Sequence, residues 1–187
     1  GWQALVKGAS VRGQVEHHEA HLPPRGLVGL LLPGGGLGVA EAPAPGPELA
    51  EQAADLLEPT YWNQGELRER IVAAQLGSTV WIVARDGDGR VVASARALSD
   101  GVRHALVLDV VTDPSFRGRG VGLRLMRALL DHPRIRDVRC VRLRTRDAMG
   151  FYEKLGFRIE GPTDVELPWM ALIRPTEASP DRLPGRP

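Results

Sequence analysis

The 187-residue chain has almost no net charge, one cysteine and no long apolar run, and each shortage removes a class of protein. A formal charge of +1 gives no global pull toward nucleic acid or a strongly acidic partner, although basic residues are locally dense from Arg117 to Arg146. Cys140, alone, leaves no intramolecular disulfide framework and suits a reducing, cytoplasmic setting. As a nucleophile it would need a positioned base that nothing nearby in sequence supplies, so it reads as a small strand residue. No apolar stretch reaches the roughly 18 residues that a membrane helix needs, so no membrane partner is expected. The nearest, Leu27 to Ala40, is broken by Pro33 and a glycine cluster. The small-residue pattern after it resembles a signal cleavage site but lies well inside the chain without a charged start. No internal repeat is visible.

What remains is enough for a folded domain. A hydrophobic content of 43% can bury a core, and the length fits one domain with an appendage. Residues 1–45 are a Gly- and Pro-rich extension, 46–174 the domain, and 175–187 a loose tail. In the extension, Leu27 to Leu32 and Leu37 to Ala40 read as two short strands, and the rest is an interaction arm or unstructured. His17, His18 and His21 invite a metal reading, but no carboxylate or cysteine is arranged to complete a site, so no metal is expected.

From Pro47 onward apolar periodicity and turn signals alternate. Pro47 to Leu57 and Gly65 to Leu76 read as helices around an aromatic and polar loop, Tyr61-Trp62-Asn63-Gln64. Thr79 to Arg85 and Val91 to Leu98 are strands joined by Asp86-Gly87-Asp88-Gly89, a strong hairpin signal. Val102 to Thr112 is a third strand, Gly120 to Leu130 a helix and Val138 to Thr145 a strand. Asp147 to Leu155 is a short helix closed by Gly156, a natural left-handed cap. Phe157 to Ile159 and Val165 to Ile173 are terminal strands. Consecutive strands followed by alternating elements predict an α+β fold, a mixed, mainly antiparallel sheet flanked by helices.

Val110-Val111-Thr112-Asp113-Pro114-Ser115-Phe116-Arg117-Gly118-Arg119-Gly120-Val121-Gly122 joins a β-branched strand to a helix. Glycines there let backbone N–H groups turn toward one point, and a helix N-terminus adds free donors and a positive dipole end. Both favour phosphate, and Arg117 and Arg119 add charge. Arg124 and Arg127 share a helix face that meets another phosphate or solvent. The segment lacks the Gly-Lys-Ser/Thr ending of an ATP loop, and Leu123 stands where a dinucleotide loop has its third glycine. The competing reading is a tight turn that packs a helix close to a strand.

The segment resembles the signature of the GNAT superfamily of N-acetyltransferases, Arg/Gln-x-x-Gly-x-Gly/Ala after a strand ending near a proline, with Arg117, Gly120 and Gly122 in register. A second run, Thr145-Arg146-Asp147-Ala148-Met149-Gly150-Phe151-Tyr152-Glu153-Lys154-Leu155-Gly156-Phe157, looks like that superfamily's Tyr-x-x-x-Gly-Phe motif. Its Thr-Arg-Asp-Ala-x-Gly-x-Tyr pattern resembles a bacterial subgroup, and the resemblance covers roughly Pro47 to Arg174. It implies the GNAT acyl-CoA N-acyltransferase fold, with acetyl-CoA as acyl donor and no metal. By resemblance the pyrophosphate sits on Arg117, Gly118, Arg119, Gly120, Val121, Gly122 and Leu123. The pantetheine arm lies along Val110, Val111 and Thr112, and Thr145, Ala148 and Tyr152 complete the cofactor site. A bulge is needed on that strand to free its backbone groups.

By the same resemblance Tyr152 is the general acid. A phenol near its usual pKa of about 10 stays protonated and can donate to a departing thiolate, whose thiol has a pKa of about 8.5. No base is assigned. Many relatives use a Glu on the strand at the position of Leu108; Asp109 is next to it, but strand alternation turns it to the opposite face. A water chain and His104 are the other options. Tyr61 and Trp62, with Glu66 nearby, lie where the superfamily flanks its acceptor and are expected to hold the amine, by cation–π contact or simply as packing. Trp169 invites the same reading.

The expected activity is acetyl transfer from acetyl-CoA to a primary amine of a small molecule or protein by direct attack on the thioester. The alternatives are a non-catalytic CoA-binding or regulatory module, which Leu108 favours and Tyr152 opposes, and a nucleic-acid module, for which no recognition motif is present. A homodimer is left open.

Overall fold

The computed structural model describes residues 46–162 and 165–175, together with the backbone of 27–31 and 40–42. The histidines of the N-terminal extension and the tail from 176 lie outside the described residues. In chain order the elements are β1 (Leu27–Leu31), β2 (Ala40–Ala42), α1 (Pro47–Leu57), α2 (Arg68–Leu76), β3 (Val80–Arg85), β4 (Val91–Ser99) and β5 (His104–Thr112). They continue with α3 (Val121–Asp131), β6 (Cys140–Arg144), α4 (Met149–Glu153), β7 (Arg158–Glu160) and β8 (Trp169–Ile173). Single 3-10 turns cover Tyr61–Asn63 and Pro114–Phe116.

The strands form one sheet in the order β2-β1-β3-β4-β5-β6-β8-β7. Only β1–β3 and β5–β6 are parallel; the other pairs are antiparallel, so the mixed, mainly antiparallel sheet is as expected. Of the strand expected over Leu37 to Ala40, Ala40 alone is among the described residues; it opens β2, which pairs with β1, and it is β1 that joins β3. The second helix begins at Arg68 rather than Gly65, because Gly65 is left-handed (φ 81°) and Leu67 is extended. The hairpin between β3 and β4 closes as its residues demand. Asp86 accepts from the amides of Asp88 and Arg90, and Gly89 takes φ 85°.

Two layers of helix cover the sheet. α3 lays Val121, Leu125, Met126, Leu129 and Leu130 on Ile82, Ala93, Ala95, Ala97 and Val107. Facing residues that small let the helix approach closely. α1 and α2 cover the other face with Ala53, Ala54, Leu57 and Ile71 against Trp81, Val83 and Val111. Trp81 satisfies its buried indole N–H on Ser94 Oγ at 2.9 Å. Phe157, fully buried, closes the α3-side core beneath Tyr152, with ring centroids 5.9 Å apart; truncation to Ala there would cost about 3–5 kcal/mol.

Two irregularities open the sheet at its centre. β5 and β6 pair only from His104 to Leu106 against Cys140 to Arg142, so the C-terminal half of β5 has no ladder partner on β6. On the other side, Ser94 faces Val111 and Arg96 faces Leu108, which leaves Asp109 and Val110 together opposite Ala95. That is a bulge, and Asp109 is left-handed in it (φ 51°), the only described non-glycine residue with positive φ.

Candidate active site

The splay of β5 from β6 is the floor of a cleft of about 1240 Å³. One wall is the start of α3 with the loop before it, another is α4, and the rim is the turn after α1. Val110, Val111 and Thr112 line it, on the stretch of β5 that has no ladder partner on β6 and beside the bulge toward β4.

At the glycine-rich loop, Asp113 caps the Pro114–Phe116 turn by accepting from the amide and hydroxyl of Ser115, which holds its carboxyl below the usual range. Gly118 (φ 72°) and Gly120 (φ 74°) then take left-handed conformations that disfavour a Cβ. Gly120 caps α3 with no side-chain partner, and the first amide to find a backbone acceptor is that of Arg124, on the Gly120 carbonyl at 3.1 Å. The N–H groups of residues 118–123 have no acceptor among the described residues. Gly122 serves the competing reading: a Cβ there would lie 3.3 Å from Thr112 Oγ1 and 3.6 Å from the Phe151 ring, so it packs α3 against β5 and α4. The two readings therefore divide between glycines. Left-handed Gly118 and Gly120 shape the stretch whose amides are unpaired, and Gly122 lets the helix come close.

Arg117, Gly118, Gly120, Val121, Gly122 and Leu123 line the cleft. Arg119 does not; its guanidinium stands 5.4 Å from the Phe116 ring. Arg117 donates from Nε to the Thr112 carbonyl at 3.3 Å. None of Arg117, Arg119, Arg124 and Arg127 has a carboxylate within 4.0 Å among the described residues. Uncompensated arginines around unpaired amides suit a polyanion such as a pyrophosphate.

Thr145 is buried and its Oγ1 accepts from the Ala148 amide at 3.1 Å, fixing the entry to α4. Ala148, Phe151 and Leu155 pack on the core, as expected, and Gly156 ends the turn at φ 89°. This leaves Tyr152 only 7% exposed but lining the cleft, its ring edge-to-face with Phe151 and Phe157. Its hydroxyl makes no hydrogen bond to the described residues. Burial, with smaller contributions from Tyr61 and Asp147, pushes the phenol well above its ordinary pKa. It is therefore a protonated donor without an internal acceptor.

Tyr61 and Trp62 also line the cleft, edge-to-face at 4.9 Å, with the Arg146 guanidinium 3.7 Å over the Tyr61 ring. Trp169 lines it from β8. Glu66 does not; it pairs with Arg70 at 3.3 Å. His104 lies at the far, paired end of β5 in a separate shallow recess, so it is not brought to the cleft.

One expectation is overturned. Alternation was expected to turn Asp109 to the face opposite Leu108, but the bulge puts both on one face. Leu108 faces Arg96 in the register, and Asp109 Oδ2 accepts from Arg96 Nε at 2.5 Å and from Gln75 Nε2 of α2 at 3.1 Å. Both bonds fall on Oδ2, so Oδ1 has no partner among the described residues. A carboxylate thus stands in the cleft wall one residue from Leu108. The available signal was the tolerance of Asp for left-handed backbone, which pattern reading alone does not locate. Arg144, which also lines the cleft, was missed because an exposed arginine at a strand end has no pattern of its own.

A mixed, mainly antiparallel sheet splayed at its centre and covered by helices on both faces is the fold of the acyl-CoA N-acyltransferase type. Residues 77–159 match the family described as "Acetyltransferase (GNAT) domain". A crystal structure of a putative acetyltransferase of the GNAT family from Xanthomonas campestris pv. campestris is 31% identical, over 62% of this chain and 79% of that one, with a TM-score of 0.51. The chain belongs to the GNAT acetyltransferase family. Aminoglycoside 6'-acetyltransferase type Ii is 27% identical, over 73% of this chain and 98% of that one, with a TM-score of 0.61. Serotonin N-acetyltransferase 2, chloroplastic, of Oryza sativa subsp. japonica is 38% identical over 91 residues, 47% of this chain and 46% of that protein. The match thus spans about half the length of that curated relative. That relative is named chloroplastic, so the match lends no support to the cytoplasmic setting expected above.

Proposed function

We propose that the protein transfers the acetyl group of acetyl-CoA to a primary amine by direct attack on the thioester. The observation that carries this is the pairing of unpaired amides at 118–123 with a protonated, unbonded Tyr152 hydroxyl on the other wall of one cleft. Bound acetyl-CoA supplies an acyl carbon activated as a thioester. The amides and Arg117 hold the pyrophosphate, and the bulged edge of β5 at Val110 to Thr112 holds the arm, so that the thioester reaches the splay. Attack forms a C–N bond and breaks the C–S bond; Tyr152 gives its proton to the departing sulfur. The amine's own proton leaves toward Asp109 Oδ1, directly or through water, with Arg96 and Gln75 fixing the carboxylate. Asp109 on the cleft face supports the catalytic reading over the non-catalytic module that Leu108 favours.

The test is thiol release with acetyl-CoA over an amine panel, with Tyr152→Phe beside the wild type. The variant is expected to lose about 10²–10⁴-fold in kcat while KM for acetyl-CoA stays within about twofold. Unchanged turnover removes the acid role, and absence of acetyl-CoA binding by calorimetry removes the phosphate-loop assignment.

A further inference from the structure

Resting on the N-acetyltransferase reading above, we infer that the acceptor carries an anionic group besides its amine, held at the mouth of the cleft by Arg144 and Arg146. Both residues leave the end of β6 and line the cleft. Arg144 faces Trp169 in the β6–β8 register, on the sheet face that α1 and α2 cover elsewhere and opposite to α3. The phosphate loop is on the α3 side, so these arginines are not part of the pyrophosphate cradle.

Each guanidinium stands against an aromatic ring. Arg144 stands 5.3 Å over Trp169 and donates Nε to the Leu167 carbonyl at 2.9 Å; Arg146 stands 3.7 Å over Tyr61. Such contacts with a ring leave the terminal nitrogens of the fork as donors. Arg144 has no carboxylate within 4.0 Å among the described residues, and Arg146 has only its exposed neighbour Asp147 at 4.0 Å. Three other arginines of this face are neutralised: Arg96 by Asp109, Arg142 by Glu160 at 2.6 Å, and Arg68 by Glu51, Asp55 and Glu58. Those pairs also engage Asp55 and Asp109, two of the acidic groups that line the cleft. The acceptor mouth therefore offers positive charge, free of any described carboxylate at Arg144 and opposed only by exposed Asp147 at Arg146, beside aromatic rings. It fits an amine on an apolar or aromatic body that ends in a carboxylate, and it disfavours a polycation of the aminoglycoside kind.

The test uses the full chain with acetyl-CoA and five acceptors: benzylamine, 4-(aminomethyl)benzoate, tryptamine, tryptophan and spermidine. Each acid-bearing compound is expected to exceed its acid-free partner by about tenfold or more in kcat/KM, with spermidine lowest. The double variant Arg144→Gln, Arg146→Gln is expected to erase that preference and leave KM for acetyl-CoA and the melting temperature unchanged. Preference for the acid-free acceptors or spermidine, or an acid preference that survives in the double variant, overturns the inference while the transferase reading stands. So does a raised KM for acetyl-CoA with acceptor preference intact, which would assign the arginines to the donor. Acetyl-CoA binding without turnover of any of the five overturns the transferase reading and this inference with it.

Discussion

Replacing Gly120 by Ala separates conformation from packing in the phosphate loop. Gly120 has φ 74°, and a Cβ there would meet only the flexible end of Arg124, its Nη1 at 3.2 Å. The cost is therefore conformational: holding an L-residue left-handed takes about 1–2 kcal/mol. For a chain of this size each kcal/mol lowers Tm by about 2–4 °C, so Gly120→Ala should melt about 2–8 °C below the wild type if the loop keeps its shape. If the loop instead relaxes, the strain vanishes but the amides of residues 121–123 turn away. Each lost hydrogen bond to a charged phosphate then removes about 1.5–3 kcal/mol of acetyl-CoA affinity, roughly ten- to a hundredfold. Thermal unfolding and calorimetry with acetyl-CoA read the two channels separately, and one of them must move. Gly120→Asn, which tolerates left-handed backbone, should fall between Ala and Gly in both. A Gly120→Ala protein with wild-type Tm and acetyl-CoA affinity within twofold would refute the idea that a left-handed cap aims these donors.

Arg96→Ala should destabilise the fold by about 3 kcal/mol in denaturant titration, because it strips the partner from a carboxylate whose side chain is only 12% exposed. Asp109→Asn should retain more stability than Asp109→Ala, since Ala is strained at φ 51°, yet lower kcat as the Ala variant does; an Asn variant with full turnover would take the proton-accepting role from Asp109. Burial raises the Tyr152 pKa above its unfolded value of about 10, so the unfolded chain loses this proton first as pH rises. The tyrosine's contribution is complete below about pH 10 and is lost at higher pH, and Tyr152→Phe should lose less stability than the wild type between pH 9 and 11 in denaturant titration.

Sequence by itself determined the order and kind of the elements from Pro47 onward, because period and punctuation are local: apolar residues at helical spacing, Asp-Gly pairs at the hairpin, glycine at the end of α4. It also located the glycine loop and Tyr152, since short motifs carry their chemistry with them. The tertiary structure alone decided which residues meet across the cleft. The splay exists because β5 and β6 part after Leu106, and the bulge exists because Asp109 turns left-handed, reversing the alternation that had placed it on the wrong face. Neither is visible in a strand's own pattern, because pairing is a property of two strands. Charge behaves likewise: Arg144 and Arg142 read alike in sequence, and only the fold gives Glu160 to one and leaves the other facing the cleft.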